Sequence, residues 1–308
     1  MANWTAADIP DLTGKTIVVT GANSGLGLRS SEALAAKGAM VLMACRNAAK
    51  AAVALDAVKA AATGPVPEVV ALDLSSLTSV RECAAALAGT HGHIDVVLNN
   101  AGIMAVPKAL TVDGFESQMG TNHLGHFALT GLLLPLVLKA PAPRVVSVSS
   151  NAHKLGRVNL DDLFFERTHY SRWRAYGQTK LANLLFIGEL QRRATAASSH
   201  LIAAAAHPGY SATNLTSGPA KGAAPLRPFL AVADKLVGQA DHMGALPQLY
   251  ASTMPDVAPD DYWGPDGFRE QRGHPKRVDR TKLARDQATA RGLWERSEEL
   301  TGVTYLWP

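Results

Sequence analysis

Short apolar segments alternate with longer amphipathic segments along the first two thirds of the chain. Six apolar segments rich in strand-forming residues each end in a turn. They are TIVVT at 16–20, AMVLMA at 39–44, PEVVALDL at 67–74, HIDVVLN at 93–99, PRVVSVS at 143–149 and HLIAAAA at 200–206. Between them, apolar residues recur three or four positions apart, which predicts helices at 26–36, 47–62, 76–88, 114–138 and 173–197.

This alternation predicts the fold class. A helix between two strands returns the chain to the same edge of the sheet, so the strands are parallel and both faces are covered. We therefore expect an α/β protein with a Rossmann-type, doubly wound parallel sheet of about seven strands and helices on both faces. No composition shift or long linker divides residues 1–308, which predicts a single domain.

Two regions interrupt the regular pattern. Residues 214–240 combine glycines and prolines with apolar residues and are typical of a substrate loop. The apolar residues that we expect to cover a ligand there are Leu226, Phe229, Leu230 and Val232. Residues 256–308 form a C-terminal extension whose role the sequence does not indicate.

Composition excludes several classes of protein. With 47% hydrophobic and 18% charged residues, the chain can bury a large core. Its formal charge is only +4, and we interpret the basic stretch at 272–285 as a solvated tail, so no nucleic-acid partner is expected. Cys45 and Cys83 have neither disulfide nor zinc spacing. Since the N-terminus lacks a signal pattern and the longest apolar run, 129–138, is too short for a membrane span, we expect a cytoplasmic protein.

The stretch KTIVVTGANSGLG, residues 15–27, predicts a dinucleotide site. A strand ends at Gly21, and Gly25 and Gly27 begin a helix, so backbone N–H groups and the positive end of the helix dipole converge there. Residues without a Cβ let a pyrophosphate approach the backbone closely. The spacing is G-x-x-x-G-x-G rather than the commoner G-x-G-x-x-G.

The ends of the next two strands bear on the choice of dinucleotide. After the second strand the chain offers Cys45 and Arg46 and no acid, which favours the 2′-phosphate of NADP, with NAD as the alternative cofactor. After the third strand, Asp73 is placed either to contact the adenine or to cap the helix that starts near Ser76.

A Tyr-x-x-x-Lys pair predicts the chemistry. Tyr176 and Lys180 are four residues apart on one helix and so project from the same face. Tyrosine is a poor acid or base at neutral pH unless a cation favours its phenolate. The nearby ammonium of Lys180 is therefore expected to lower the Tyr176 pKa. When a carbonyl is reduced, Tyr176 would supply the proton and Ser150 a hydrogen bond to the same oxygen. Ser149 is the alternative to Ser150.

Taken with ACRN, NNAGIM, TNHLGHF, VSSNAHKLGR, YGQTKLANLLF and HPGYSATNL, these motifs resemble the short-chain dehydrogenase/reductase superfamily. Within it, the sequence is most similar to the branch of retinol dehydrogenases, WW-domain oxidoreductases and protochlorophyllide reductases. The resemblance covers about residues 12–215. It implies a catalytic tetrad of Asn122, Ser150, Tyr176 and Lys180, in which Asn122 interrupts its helix and holds a water for a proton relay through Lys180.

The resemblance also implies a set of cofactor contacts. These are Gly21, Ser24, Gly25, Leu26, Gly27, Arg46, Asp73, Leu74, Asn100, Ala101, Gly102, Tyr176, Lys180, Pro208, Gly209, Ser211 and Thr213. Pro208 and Gly209 would lie beside the nicotinamide. No metal is expected, and we interpret His123 and His126 as ordinary packing residues because a third ligand is not evident.

Together these features predict an NADP-dependent oxidoreductase that transfers hydride between the nicotinamide and a carbonyl or alcohol on a small apolar substrate. The alternatives are a non-catalytic NADP-sensing regulator on the same fold and a nucleotide-sugar epimerase. Ser150 and Tyr176 are 26 residues apart, about twice the gap usual in the superfamily, which implies an inserted loop beside the site. Both a homodimer and a monomer are compatible with the sequence.

Overall fold

The structure, a computed structural model, describes residues 3–210 and 240–307, and its centre is one eight-stranded sheet. The strands follow the order β3-β2-β1-β4-β5-β6-β7-β8, and all pair in parallel except β8, which pairs antiparallel with β7. Their bounds are β1 Thr16–Thr20, β2 Met40–Cys45, β3 Glu68–Ala71, β4 Val96–Asn99, β5 Arg144–Val148, β6 Ile202–Ala206, β7 Tyr262–Pro265 and β8 Pro275–Arg277. The predicted doubly wound α/β class is confirmed, and the C-terminal extension adds β8 as an antiparallel edge strand.

Helices cover both faces of the sheet. They are α1 Gly25–Ala35, α2 Ala48–Ala61, α3 Leu77–Thr90, α4 Ser117–Met119, α5 Gly125–Val137, α6 Arg172–Ala196, α7 Asp241–Gly244, α8 Leu246–Thr253 and α9 Gln287–Thr301. Successive residues of a strand point to opposite faces, so Val18 packs into the layer of α3, α5 and α6, whereas Ile17 and Val19 pack into the layer of α1, α2 and α8. All three are fully buried, as parallel strands between two helical layers require.

The predicted helix at 114–138 is interrupted. A π-helical turn, Gly120–Leu124, separates α4 from α5 and contains Asn122. A π turn inserts an extra residue into a helix and so shifts the hydrogen-bonding register at that point. The interruption therefore lies at the residue where the resemblance implied it.

The C-terminal extension packs against α5 and α6. Trp294 on α9 lies 5.1 Å from the ring of Phe127 on α5 and stacks at 5.9 Å on Phe186 of α6. Tyr305 joins this aromatic cluster at 5.0 Å from Phe127, and its hydroxyl donates to the Phe127 carbonyl oxygen at 2.7 Å. The extension therefore supplies part of the core on this face of the sheet.

The prediction of a solvated basic tail at 272–285 is wrong. This stretch forms β8 and a short 3-10 helix, Lys282–Arg285. Two of its arginines are paired with acids that immediately precede β7: Arg277 lies 2.9 Å from Asp261, and Arg280 lies 2.9 Å from Asp260. Positive charge here is thus partly balanced within the fold.

Across residues 3–210 and 240–307, none of the helices is both long enough and apolar enough to cross a lipid bilayer. The predicted substrate loop at 214–240 lies, apart from Ala240, outside the described residues.

Candidate active site

The glycine turn after β1 fits an anionic ligand. Within the part of the chain that the structure describes, Ser24 is the N-cap of α1 but its side chain makes no capping hydrogen bond. The first N–H groups of α1, at the positive end of the helix dipole, therefore remain available to bind phosphate oxygens. Gly27 lets α1 pack tightly on the turn, because a Cβ there would overlap the Gly21 carbonyl oxygen and lie 2.6 Å from Nδ2 of Asn100. Leu26 between the glycines is buried.

The loop after β4, Asn100 to Gly102, is held by hydrogen bonds to Thr20 at the end of β1 and to Gln248. The Asn100 side chain donates to the Thr20 carbonyl oxygen at 2.8 Å and accepts from Gln248 at 3.0 Å. The backbone N–H groups of Asn100 and Ala101 both donate to Thr20 Oγ1 at 2.9 Å. The side chain and the backbone N–H of Asn100 therefore both hold this loop in place within the fold.

Arg46 and Asp73 lie next to each other at the edge of the sheet. The Arg46 guanidinium is 4.0 Å from Oδ1 of Asp73, and 69% of the Arg46 side chain is exposed. Asp73 Oδ1 accepts from the backbone N–H and the hydroxyl of Ser75, at 2.9 and 2.6 Å. The alternative that Asp73 caps the following helix is wrong, because Ser76 caps α3. Leu74, the next predicted contact, is buried.

The structure brings Ser150, Tyr176 and Lys180 together at the carboxyl end of the sheet. Ser150 follows β5, and its side chain interacts with that of Tyr176 and lowers the Tyr176 pKa. Lys180 lies one turn further along α6, with Nζ 5.6 Å from the centre of the Tyr176 ring. Ser149 is different, since its buried hydroxyl donates to the Lys180 carbonyl oxygen at 2.8 Å. Of the two serines considered, Ser150 is therefore the one that faces Tyr176.

Burial dominates the electrostatics of this pair. It raises the pKa of Tyr176 to about 12, and the interaction with Ser150 opposes this effect. Burial also lowers the pKa of Lys180 to about 8. The expectation that the Tyr176 pKa is lowered is therefore wrong for the protein without ligand, because loss of water around the phenol raises it. At neutral pH, Tyr176 holds its proton and is in the form that can donate it.

Asn122 connects the π-helical turn to the neighbouring segments. Its side-chain oxygen accepts from the Ile103 N–H at 2.8 Å, and its Nδ2 donates to the Ile103 carbonyl at 2.9 Å and to Thr179 at 3.1 Å. A Cβ on Gly102 would lie 3.1 Å from the Asn122 side chain and 3.6 Å from Nζ of Lys180. Gly102 therefore packs closely against Asn122 and Lys180, two members of the predicted tetrad.

The hydrogen bonds of His126 define its tautomer, a feature that the sequence did not reveal. The Asn122 carbonyl oxygen can only accept, so His126 Nδ1, 3.1 Å away, holds the ring proton and donates to it. Nε2 is then the unprotonated nitrogen and lies 2.9 Å from the Thr20 hydroxyl, which is also 3.4 Å from the Leu98 carbonyl oxygen. Burial lowers the His126 pKa to about 4, which keeps the ring neutral. His126 thus links the end of β1 to the backbone of Asn122.

His123 is buried in the same helix and contacts Ser297 at 2.9 Å, and burial lowers its pKa to about 3. Among the described residues, no group of three or more His, Cys, Asp or Glu side chains is arranged to hold a metal ion.

The inserted segment after Ser150 packs beside the site. Tyr170 donates to the Val106 carbonyl oxygen at 2.9 Å and accepts from Gln118 at 2.8 Å, which joins the insertion to the loop after Gly102. Trp173, with 57% of its surface exposed, packs edge-on against Tyr176 with ring centres 6.2 Å apart. The insertion thus contributes an exposed aromatic side chain next to the Tyr176 ring.

The last predicted contacts follow β6. Pro208 and Gly209 lie just beyond the end of β6. Ser211 and Thr213 lie outside the described residues.

Comparison with known proteins identifies relatives over the whole chain. The sequence model of the family described as short chain dehydrogenase matches residues 15–222. Human Retinol dehydrogenase 13 is 36% identical over 300 residues, which cover 95% of this chain and 86% of the human protein. Human Retinol dehydrogenase 14 is 37% identical over 307 residues, covering 94% and 87% of the two chains. A crystal structure of a protein from Mycobacterium Paratuberculosis has 46% sequence identity, covers 99% of this chain and 100% of that chain, and gives a TM-score of 0.82.

Proposed function

The chain belongs to the short chain dehydrogenase family and is an NAD(P)-dependent oxidoreductase, and from this premise we propose that it interconverts a carbonyl and an alcohol on an apolar substrate with NADP as its cofactor. The observation that carries the proposal is the grouping of three side chains: Ser150 interacts with Tyr176, and Lys180 Nζ lies 5.6 Å from the centre of the Tyr176 ring.

In this proposal the chain's own residues bind the substrate oxygen and move its proton. NADPH, when bound, would supply the hydride that reduces the carbonyl carbon. Ser150 and Tyr176 would both donate hydrogen bonds to the carbonyl oxygen, on which negative charge grows. Tyr176 then transfers its proton to that oxygen. Lys180, whose pKa burial lowers to about 8, supplies positive charge that stabilises the phenolate left behind.

The residues after β1, β2, β3 and β4 would bind the cofactor. The N-terminus of α1, with Gly21, Ser24, Gly25, Leu26 and Gly27, suits the pyrophosphate. Arg46 would bind the 2′-phosphate, and Asp73 and Leu74 the adenine. Asn100, Ala101 and Gly102, with Lys180, would contact the ribose of the nicotinamide half, and Pro208 and Gly209 the nicotinamide ring.

The exposed side chains around Ser150 and Tyr176 support an apolar substrate. Trp173 packs on Tyr176, and Leu155 is 70% exposed at the end of the 3-10 turn Asn151–Leu155, which Ser150 caps. Exposed apolar surface beside polar reacting groups is typical of a site for an apolar ligand. The names of the two human relatives likewise denote dehydrogenation of an alcohol, retinol.

Transfer of deuterium tests the proposal directly. The protein would be incubated with NADPH labelled at C4 and a panel of aliphatic aldehydes, aromatic aldehydes and cyclic ketones, and the alcohols analysed by mass spectrometry. We expect deuterium from one face of the nicotinamide in at least one product. A protein that binds NADPH but transfers no label to any carbonyl would instead match the NADP-sensing regulator.

A further inference from the structure

A buried histidine contacts a carboxylate between the end of β6 and the turn that joins β7 to β8. His207 follows β6 and is almost completely buried. Its Nε2 is 3.2 Å from Oε2 of Glu270, and Nζ of Lys154 is 3.3 Å from the same oxygen. Lys154 belongs to the 3-10 turn that Ser150 caps, so Glu270 connects that turn to the end of β6.

The hydrogen bonds of His207 define which nitrogen holds its proton. The Gly209 N–H donates to Nδ1 at 3.2 Å, and a ring nitrogen that accepts a hydrogen bond holds no proton. Burial lowers the pKa of His207, an effect that Glu270 opposes, so the ring is neutral near pH 7. Its single proton is therefore on Nε2, the nitrogen that faces Glu270.

Glu270 acts on this proton mainly through its charge. The contact between Nε2 and Oε2 is short, but its direction is poor for a hydrogen bond. A carboxylate at 3.2 Å in a buried site still favours the tautomer with the proton on the nearer nitrogen. The contact with His207 is in turn the largest effect that lowers the pKa of Glu270.

The backbone around the pair is tightly constrained. Gly209 has a φ of 69°, and a Cβ there would overlap the carbonyl oxygen of Gln271, which also accepts from the Tyr210 N–H at 2.8 Å. Arg269 and Glu270 have φ values of 51° and 59°, unfavourable for side chains of their type. Such conformations persist where surrounding contacts hold them. The turn between β7 and β8 is thus held against Pro208–Gly209.

We propose that His207 is a positioning residue: with its proton on Nε2, as Glu270 selects, it holds the Gly209 N–H and so sets the conformation of the Pro208–Gly209 turn for binding the nicotinamide half of the cofactor. The identity of that ligand rests on the proposed function, whereas the tautomer and the turn are properties of the protein without ligand. In the opposite tautomer the proton would be on Nδ1 and would face the Gly209 N–H. The two donors would repel each other and displace the turn.

Two measurements test this assignment. Long-range ¹H–¹⁵N NMR spectra of the ligand-free protein, labelled in histidine, report which ring nitrogens hold protons, and His207→Asn identifies the His207 signals. We expect an unprotonated Nδ1 and a protonated Nε2 in the wild type. A protonated Nδ1 would overturn the proposal, whether or not the protein binds NADPH.

Calorimetry with NADPH is the second measurement. Glu270→Gln keeps the size of the side chain but removes its charge, and Glu295→Gln, at an exposed position on α9, is the matched control. We expect about a three- to tenfold weaker affinity for the first and no change for the second. His207→Asn, which keeps an acceptor near Nδ1, should bind more tightly than His207→Gln, which moves the amide away.

Unchanged affinity in Glu270→Gln, or equal losses in the two His207 variants, would contradict the positioning role. A wild-type protein that binds no NADPH would refute the proposed function instead, and the NMR spectra would still decide the tautomer.

Discussion

The exposed guanidinium of Arg46 allows a quantitative prediction about cofactor choice. Because 69% of the side chain is exposed and its contact with Asp73 is 4.0 Å long, Arg46 contributes at most about 1 kcal/mol to folding. A charge-assisted hydrogen bond from Arg46 to a 2′-phosphate would contribute about 1.5–3 kcal/mol to binding. That energy corresponds to about a ten- to hundredfold preference for NADPH over NADH, and exposure to solvent favours the lower half of this range.

The assay is calorimetric titration of both cofactors into wild-type protein, Arg46→Ala and Arg46→Lys. We expect Arg46→Ala to lose most of the preference while NADH binding and the melting temperature stay nearly unchanged. Arg46→Lys should keep only part of it, since an ammonium cannot bind a phosphate bidentately. Arg291→Ala, at an exposed position on α9, controls for general charge effects. Equal wild-type affinities for NADH and NADPH would refute the reasoning.

Three further predictions follow from buried contacts. Gly27→Ala should lower stability by about 1–3 kcal/mol and weaken NADPH binding, because its Cβ overlaps the Gly21 carbonyl oxygen. Gly89→Ala, with open space around the added Cβ, should do neither. Equal melting temperatures of the two variants would contradict this. Ser150→Ala should reduce kcat about a hundredfold and Ser149→Ala far less, so equal losses of kcat would show that the serines are assigned wrongly. Lys180→Met should raise the free energy of unfolding of the ligand-free protein at pH 7 by up to about 3 kcal/mol, because burial lowers the lysine pKa from 10.5 to about 8. The melting temperature should rise accordingly. Between about pH 8 and pH 10.5 the unfolded chain binds more protons than the folded protein, so the stability of the wild type rises with pH. The stability difference between variant and wild type should therefore narrow over this range, and a difference that widens would contradict the effect of burial.

The sheet could be predicted from the sequence because each of the first six strands is a distinct apolar run followed by a helical pattern. Strand β7, YWGP, is four residues long and contains glycine and proline, and β8, PKR, is polar, so neither has a strand pattern. The aromatic cluster of Trp294 and Tyr305 with Phe127 joins segments more than 150 residues apart, which local periodicity does not report.

Some features of the candidate site could likewise be predicted from the sequence, and others could not. The positions of Tyr176 and Lys180 follow from helical spacing, and the turn before α1 follows from its glycines. The choice between Ser149 and Ser150 needed coordinates, because adjacent residues at the end of a strand point in opposite directions and the sequence gives no absolute orientation. The contacts of His126 with Thr20 and of His207 with Glu270 depend on tertiary packing between distant segments.

Single-turnover reduction of a carbonyl by Tyr176→Phe tests the central claim most directly, since the substitution removes the phenolic proton and leaves the ring in place. NADPH would be preincubated with wild-type or variant protein, mixed with a carbonyl that the wild type reduces, and followed by its absorbance, with affinity measured separately by calorimetry. We expect a rate at least about a hundredfold lower and an NADPH affinity within about twofold of the wild type. A variant that reduces the carbonyl at the wild-type rate would contradict it.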